Sequence, residues 1–278
     1  MFSLLLAILS SASISIIMRL SSDRIRAKRS MLAMNYCTCA LLGAKYVNFH
    51  IWPSDQHGFY FALGLGLISG ILFLLSFILF QGNTQKNGVV LSAIFMKLGL
   101  LVPFVISILL FGEMPTGLQI VGFGVAVAAI IGMNYQKNAG ISKFSLGLIF
   151  LLVVGGSADV MAKIFEEYGN PIFADLFLFY TFLAAFILCA AVVIRKKERP
   201  GKAEIFYGTL IGIPNFFSTK FLIGALVDIP AVIVYPTYSV ATILIVTLAG
   251  ILMFKERLNK RQWTALGAIL VALVLLNV

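Results

Sequence analysis

Four ionisable side chains interrupt the long apolar stretches of the sequence, and they are the residues best placed to do chemistry: Lys97, Asp159, Lys163 and Lys220. A charge placed deep in a bilayer is costly, so it is a functional candidate by default. Lys97 is flanked by Leu91–Met96 and Leu98–Leu101, which offer no carboxylate to pair with it. We expect Lys97 to bind an anionic group of a substrate, and a structural ion pair is the alternative.

Asp159 and Lys163 are spaced i,i+4, which allows an ion pair within one helix. The alternative makes Asp159, with Lys163, a proton or counter-ion coupling site at which Asp159 exchanges partners with Lys97. Lys220 lies nearer the end of its segment, where it either contacts substrate or extends its ammonium to the membrane surface. Three deep lysines against one deep carboxylate favour an anionic or zwitterionic substrate.

Polar side chains in two later segments complete the predicted binding set. Asn215 and Thr219 share a helix face at i,i+4, and Tyr235 and Tyr238 are neighbours at i,i+3 on either side of Pro236. The tyrosines either contact substrate or belong to an interfacial aromatic belt. The predicted substrate-binding residues are therefore Lys97, Asn215, Thr219, Lys220, Tyr235 and Tyr238.

The other reactive residues point to no catalytic centre. Cys37, Cys39 and Cys189 lie in apolar stretches and are expected to be free thiols. The sequence has no hydrolase nucleophile set, no Walker loop and no metal-ligand cluster. We predict a protein that is not an enzyme and that needs no cofactor or metal.

The composition places these residues in a membrane. Of 278 residues, 60% are hydrophobic and 12% are charged, about half the charged fraction of a soluble domain. That is too little charge to cover a soluble core. The net charge of +10 does not indicate nucleic-acid binding, because there is no soluble basic domain to carry it. The fold class expected is an all-α integral membrane protein.

Ten stretches are long and apolar enough for membrane helices joined by short connections. The predicted segments are 2–19, 31–47, 57–80, 88–111, 117–134, 144–165, 172–194, 204–225, 230–253 and 262–277.

The basic residues concentrate in alternate loops. Sixteen of the 21 lie in the odd-numbered loops, whereas the even loops carry essentially none beyond Lys45. The positive-inside rule then places the odd loops in the cytoplasm and both termini outside. We expect a multi-pass protein of a bacterial cytoplasmic membrane.

The two halves of the chain are similar to each other. A shift of 143 residues aligns 109–129 with 252–272, including Glu113 with Glu256 and Gln119 with Gln262. The predicted repeats are residues 1–139 and 140–278. Because each holds five helices, the second copy is inverted in the membrane, an arrangement typical of secondary transporters. Both glutamates end a helix, so we expect them to fix the turn that follows.

The paired motifs FGEMPTGLQIVGFG and FKERLNKRQWTALGA resemble the drug/metabolite transporter superfamily, in its EamA-like ten-helix branch. The resemblance implies a cavity lined by helices 1, 3, 4, 6, 8 and 9, with helices 5 and 10 peripheral. Pro115 departs from the second copy, which has Leu258 at that point. The superfamily resemblance does not identify the substrate.

The function expected is a secondary active transporter or exchanger that moves a small polar metabolite by alternating access, with Lys97 binding its anionic group. The alternatives are a flippase for a lipid-linked phosphate and an exporter of cationic or quaternary amine compounds. The partners expected are a small-molecule substrate and the lipid bilayer, with no nucleic acid, and the protein is expected to be a monomer or a homodimer.

Overall fold

The structure, a computed structural model, describes residues 1–22, 24–47, 55–87, 92, 95–134, 146–255 and 259–278. Within these ranges the fold is entirely helical, as the sequence predicts, with ten α-helices and two short 3-10 helices. The α-helices are α1 (Phe2–Ser21), α2 (Lys28–Tyr46), α3 (Gln56–Asn87), α4 (Leu101–Phe111), α5 (Gly117–Asn134), α6 (Leu146–Tyr168), α7 (Ala174–Arg195), α8 (Lys202–Leu226), α9 (Ala231–Phe254) and α10 (Lys260–Leu276).

Many of these helices have the length and apolarity of membrane spans. Six spans in the described ranges meet both criteria, and two shorter apolar helices, Phe95–Phe111 and Gly117–Gly132, accompany them. Large aliphatic side chains lie on the outer surface, among them Leu109 at 72% exposure and Ile194 at 75%. Such a surface is stable in lipid and not in water. The chain is an integral, multi-pass membrane protein.

The fourth predicted segment is not one regular helix. A 3-10 helix at Leu98–Leu100 precedes α4, and Lys97 is its N-cap. Pro103 explains the change, because its nitrogen has no hydrogen to donate to the carbonyl of Gly99, four residues earlier. The Leu101 N–H instead contacts the carbonyls of Gly99 and Leu98. Residues 88–91, 93 and 94, the start of the predicted segment, are outside the described ranges.

Two other prolines leave their helices unbroken. Pro214 lies inside α8, which is continuous from Lys202 to Leu226. Pro236 likewise lies inside α9. Each proline removes one backbone hydrogen bond, which the remaining bonds of a long, packed helix can tolerate.

The chain divides into two compact units. Unit 1 comprises Met1–Leu74 and Met161–Ala225, and unit 2 comprises Leu75–Val160 and Leu226–Val278. In unit 1, α2 packs along α7. The other face of α7 receives α3 at Gly66 and Gly70, where a Cβ on Gly70 would lie 2.5 Å from the carbonyl oxygen of Thr181. The two glycines of α3 therefore permit close helix packing within unit 1.

In unit 2, α5 packs along α10 around a core of fully buried aliphatic residues. Ala126, Ile130, Ile269 and Ala272 are all inaccessible there. A Cβ on Gly122 would lie 2.8 Å from the Cβ of Leu275, so this glycine permits the close approach of the two helices.

The ends of α4 and α9 have the same local structure. Gly112 and Lys255, 143 residues apart, both terminate their helix with a positive φ, of 67° and 54°. The next helix then starts with a reciprocal capping box, between Thr116 and Gln119 before α5 and between Asn259 and Gln262 before α10. The second pair again follows the first by 143 residues. The two glutamines of the predicted repeat thus have one role, which is to cap a helix N-terminus.

Candidate functional site

Lys97 lies in unit 2 at the junction between a helical turn and the 3-10 helix. Its side chain is exposed, whereas the next three residues, Leu98, Gly99 and Leu100, are buried. Lys97 interacts electrostatically with Asp159 of α6. No described carboxylate oxygen lies within the 4.0 Å of an ion pair from its Nζ. The Lys97 ammonium therefore differs from the other two deep lysines in that no described carboxylate contacts it.

A glycine contact explains why Lys97 and Asp159 are neighbours. A Cβ on Gly156 would lie 2.2 Å from the carbonyl oxygen of Gly99, and a Cβ on Gly99 would lie 3.2 Å from the Gly156 nitrogen. The two backbones touch, and a side chain at either position would separate them. Lys97 precedes this contact by two residues, and Asp159 follows it by nearly one helical turn.

Tyr235, on α9, contacts Asp159. Its hydroxyl donates a hydrogen bond of 2.6 Å to the backbone carbonyl of Asp159, and its ring is 1% exposed. Because the tyrosine binds the backbone oxygen, it leaves the Asp159 carboxylate available to interact with Lys97. We call Lys97, Asp159 and Tyr235 the Lys97 cluster. A fully buried ring also excludes a place for Tyr235 in a lipid-facing aromatic belt.

Glu113, just after α4, binds the start of α9, a contact that the sequence does not predict. The Glu113 carboxylate accepts a hydrogen bond of 2.9 Å from the N–H of Val232. The N-cap of α9 is Pro230, which provides no side-chain acceptor for the first N–H groups of the helix. Thr116 and Gln119 form the capping box before α5, so the bond to Val232 is a contact of Glu113 beyond the turn after its own helix, and its role in that turn stays a prediction. Glu256, its counterpart, is outside the described residues.

Asn215 and Thr219 form hydrogen bonds within unit 1. The Asn215 amide donates to Oδ1 of Asn35 at 3.2 Å, and the Thr219 hydroxyl donates to the Asn215 carbonyl at 3.2 Å. Asn35 is 4% exposed, whereas Asn215 and Thr219 are half-buried. The asparagine pair joins α2 to α8, a contact between residues 180 apart that spacing along one helix cannot reveal.

The other two deep lysines have carboxylate partners. Lys220 Nζ lies 2.5 Å from Oδ1 of Asp175 and 3.9 Å from the centre of the Tyr46 ring. Lys163 Nζ lies 2.6 Å from Glu166 and 3.1 Å from Glu167. Paired in this way, both lysines are largely neutralised for an incoming anion.

Tyr238 completes the predicted set and lies in unit 2. It follows Tyr235 on α9, is half-buried, and its carbonyl accepts a hydrogen bond of 2.7 Å from Thr242. The structure thus brings Lys97, Asp159 and Tyr235 together in unit 2, and Asn215 and Thr219 together in unit 1.

Unit 1 also has a groove of about 410 Å³ between α1 and α8. Its wall is mostly apolar, with two serines. No described charged side chain lines it, so it offers shape and apolar contact without electrostatic selectivity. The lining residues are Leu6, Leu9, Ser10, Ser13, Ile213, Pro214, Phe217 and Phe221.

Comparison with known proteins supports a transporter. The chain is 25% identical to a Haemophilus influenzae protein described only as uncharacterized, over 95% of this chain and 93% of the relative. A crystal structure superposes with a TM-score of 0.72 at 13% identity, covering 99% of this chain and 98% of the other, which establishes a shared fold. The sequence model of the EamA-like transporter family matches residues 143–278. This match places the chain among the EamA-like proteins of the drug/metabolite transporter superfamily, as its paired motifs predict.

Proposed function

We propose that this membrane transporter is a secondary active transporter or exchanger for a small anionic or zwitterionic metabolite. The observation that carries the proposal is the state of Lys97, which is exposed and has no described carboxylate within ion-pair distance. A cation held in an apolar helix without a tight partner is stabilised by an anion that binds it. Lys163 and Lys220 do not have this property, because their ammonium groups contact carboxylates.

Asp159 has a second role in this proposal. Without substrate, its carboxylate balances the Lys97 charge through the interaction between the two groups. A bound anion takes over that role, which leaves Asp159 to accept a proton or bind a cation. Competition between substrate and a coupling ion for one cationic group is a direct way to link their movements. In this scheme Lys97 is the substrate anchor, Asp159 is the coupling group, and Tyr235 positions Asp159.

We further propose that residues 1–139 and 140–278 are inverted repeats that exchange access between the two membrane faces. The support is local: the left-handed residues Gly112 and Lys255 and the two capping boxes recur at one offset of 143 residues. The family match to residues 143–278 begins close to the proposed boundary. Inverted repeats in transporters supply the two related halves that alternate.

The proposal can be tested with ligand-dependent melting of the purified full-length protein. A ligand that binds the folded state raises the melting temperature by mass action. We expect one or more organic acids, amino acids or sugar phosphates to do so, and Lys97→Gln to weaken that binding by about 10- to 100-fold, the loss of a charge-assisted hydrogen bond. Lys97→Arg should retain part of the response.

Lys220→Gln is the control, since it also removes a lysine charge from an apolar helix but from a paired site. Equal losses in Lys97→Gln and Lys220→Gln would contradict a specific role for Lys97. Stabilisation by quaternary amines alone would favour the cation exporter, and stabilisation by a lipid-linked phosphate alone would favour the flippase.

A further inference from the structure

In unit 1, two polar connections that are far apart in the sequence lie next to each other. The connection between α1 and α2 and the connection between α7 and α8 are joined by Glu204, which is 5% exposed. Glu204 Oε1 accepts hydrogen bonds from the N–H groups of Arg26, at 2.9 Å, and Ala27, at 3.2 Å. Its Oε2 accepts one of 3.0 Å from the N–H of Gly201. The Glu204 carboxylate therefore binds backbone N–H groups of both connections.

Two further contacts fix the same pair of connections. Arg29 Nη1 lies 2.5 Å from Oε1 of Glu198, and Arg24 Nη1 donates to the Tyr207 hydroxyl at 2.8 Å. Both described acidic side chains of this region therefore have partners: Glu204 binds backbone N–H groups, and Glu198 binds Arg29. Neither is available to neutralise the remaining basic residues.

Those remaining residues form an exposed basic surface. Each of its members is exposed, and none has a described carboxylate oxygen within 4.0 Å. Residues from two connections more than 150 positions apart are concentrated here, so their fields add. The members of the basic surface are Arg26, Lys28, Arg195, Lys196, Lys197, Arg199 and Lys202.

Exposed apolar side chains lie directly beside this surface. Ile194, 75% exposed, precedes Arg195 at the end of α7. Phe206, 60% exposed, follows Lys202 by one turn of α8. Apolar side chains at a helix end next to exposed cations suit the level in a bilayer where acyl chains meet headgroups.

We propose that the basic surface binds the headgroups of anionic phospholipids. Clustered lysine and arginine side chains next to membrane helices attract anionic lipid, with a contribution from each charge. The adjoining Ile194 and Phe206 favour a lipid over free phosphate, because only the lipid has acyl chains to cover them. The basic surface shares no residue with the Lys97 cluster, and the proposal does not depend on the proposed substrate. If these basic residues served only to orient the chain in the membrane, they would bind no lipid specifically. A lipid-binding experiment therefore distinguishes the two roles.

The experiment uses the delipidated full-length protein in detergent. It is titrated with soluble short-chain phosphatidylglycerol, with phosphatidylcholine of the same acyl chains, and with inorganic phosphate. Binding is followed by melting temperature and by native mass spectrometry. We expect phosphatidylglycerol to bind more tightly than phosphatidylcholine, and phosphate alone to have little effect. The triple variant R195Q/K196Q/K202Q should lose phosphatidylglycerol affinity on the order of 100-fold, as three surface charges are removed.

The control variant K86Q/K260Q/R261Q removes the same number of charges from exposed positions in unit 2, in loops predicted to lie on the same membrane face. It should bind phosphatidylglycerol as the unmodified protein does. Equal loss in both variants, no preference for phosphatidylglycerol over phosphatidylcholine, or equal stabilisation by phosphate would overturn the proposal. If the triple variant is already unstable without lipid, Lys196→Gln alone should weaken binding about fivefold, and unchanged binding would overturn the proposal.

Discussion

Three lysines in apolar helices have three different surroundings. Lys163 contacts two glutamates within its own helix, and Lys220 contacts Asp175 and the Tyr46 ring. Lys97 interacts electrostatically with Asp159 and has no carboxylate of the described residues within ion-pair distance. An apolar flank predicts that a charge is costly, but it does not say which distant group offsets that cost. At the residue scale, the presence or absence of a partner separates a structural lysine from a candidate binding lysine.

Asp159→Asn tests whether Asp159 competes with substrate for Lys97. The variant removes a negative charge that opposes an incoming anion while it keeps the side-chain volume. We expect anionic ligands to bind the variant more tightly, by about tenfold for a charge interaction of ~1.4 kcal/mol. Isothermal titration of the variant and the unmodified protein measures the change. Weaker binding of the anion by Asp159→Asn would contradict the competition.

Tyr235→Phe tests the positioning of Asp159. The variant keeps the buried ring and removes the hydroxyl that donates to the Asp159 carbonyl at 2.6 Å. The loss of a buried hydrogen bond should lower the free energy of unfolding by about 1 kcal/mol. Denaturant-induced unfolding in detergent measures it, and ligand titration measures any accompanying loss of affinity. Tyr60→Phe, at an exposed tyrosine of α3 outside the predicted binding set, is the control, and an effect as large there would argue against a specific role for Tyr235.

At the element scale, most helices could be predicted from the sequence, because ten apolar stretches alternate with polar connections. The predicted fifth helix, 117–134, has the bounds of α5, and most others differ by a few residues. The 3-10 helix before α4 was not predicted, although Pro103 is a visible signal for it. The bonds from Glu113 to Val232 and from Asn215 to Asn35 could not be predicted, because they form only when distant helices pack.

The glycine contact that places Lys97 beside Asp159 is an element-scale feature, and neighbouring glycines of α6 provide its test. A Cβ on Gly156 would lie 2.2 Å from a backbone oxygen, whereas a Cβ on Gly155 would meet nothing within 4 Å. We expect Gly156→Ala to lower the free energy of unfolding by about 1–3 kcal/mol, since the backbone of the 3-10 helix must move away. Gly156→Ala should also weaken ligand binding through displacement of Lys97.

Gly155→Ala should be neutral or should stabilise α6 by up to about 1 kcal/mol, because alanine has the higher helix propensity. Denaturant-induced unfolding of the two variants, measured in parallel, gives both values. If Gly156→Ala were as stable as Gly155→Ala, the close approach of α6 to Gly99 would not exist in the protein.

At the scale of the whole molecule, the charge distribution and the proposed repeat predict the same arrangement in the membrane. Odd-numbered loops carry 16 of the 21 basic residues, and they include the basic surface of unit 1. Even loops carry acidic residues such as Asp228, between α8 and α9. An odd number of helices in each half would then place equivalent ends of the two repeats on opposite faces.

Labelling of single introduced cysteines tests that arrangement, because the native cysteines should react little with the label. Cys39 and Cys189 are buried, so replacement of the half-buried Cys37 by serine is the main precaution. In that background, Asp228→Cys should react with a membrane-impermeant maleimide added to intact cells. Lys196→Cys should react only after the cells are opened, because the positive-inside rule places its loop in the cytoplasm.

Both positions are exposed on the protein, so access depends on the membrane alone. Reversed reactivity would invert the orientation, and reaction of both from outside would contradict the passage of α8 through the bilayer.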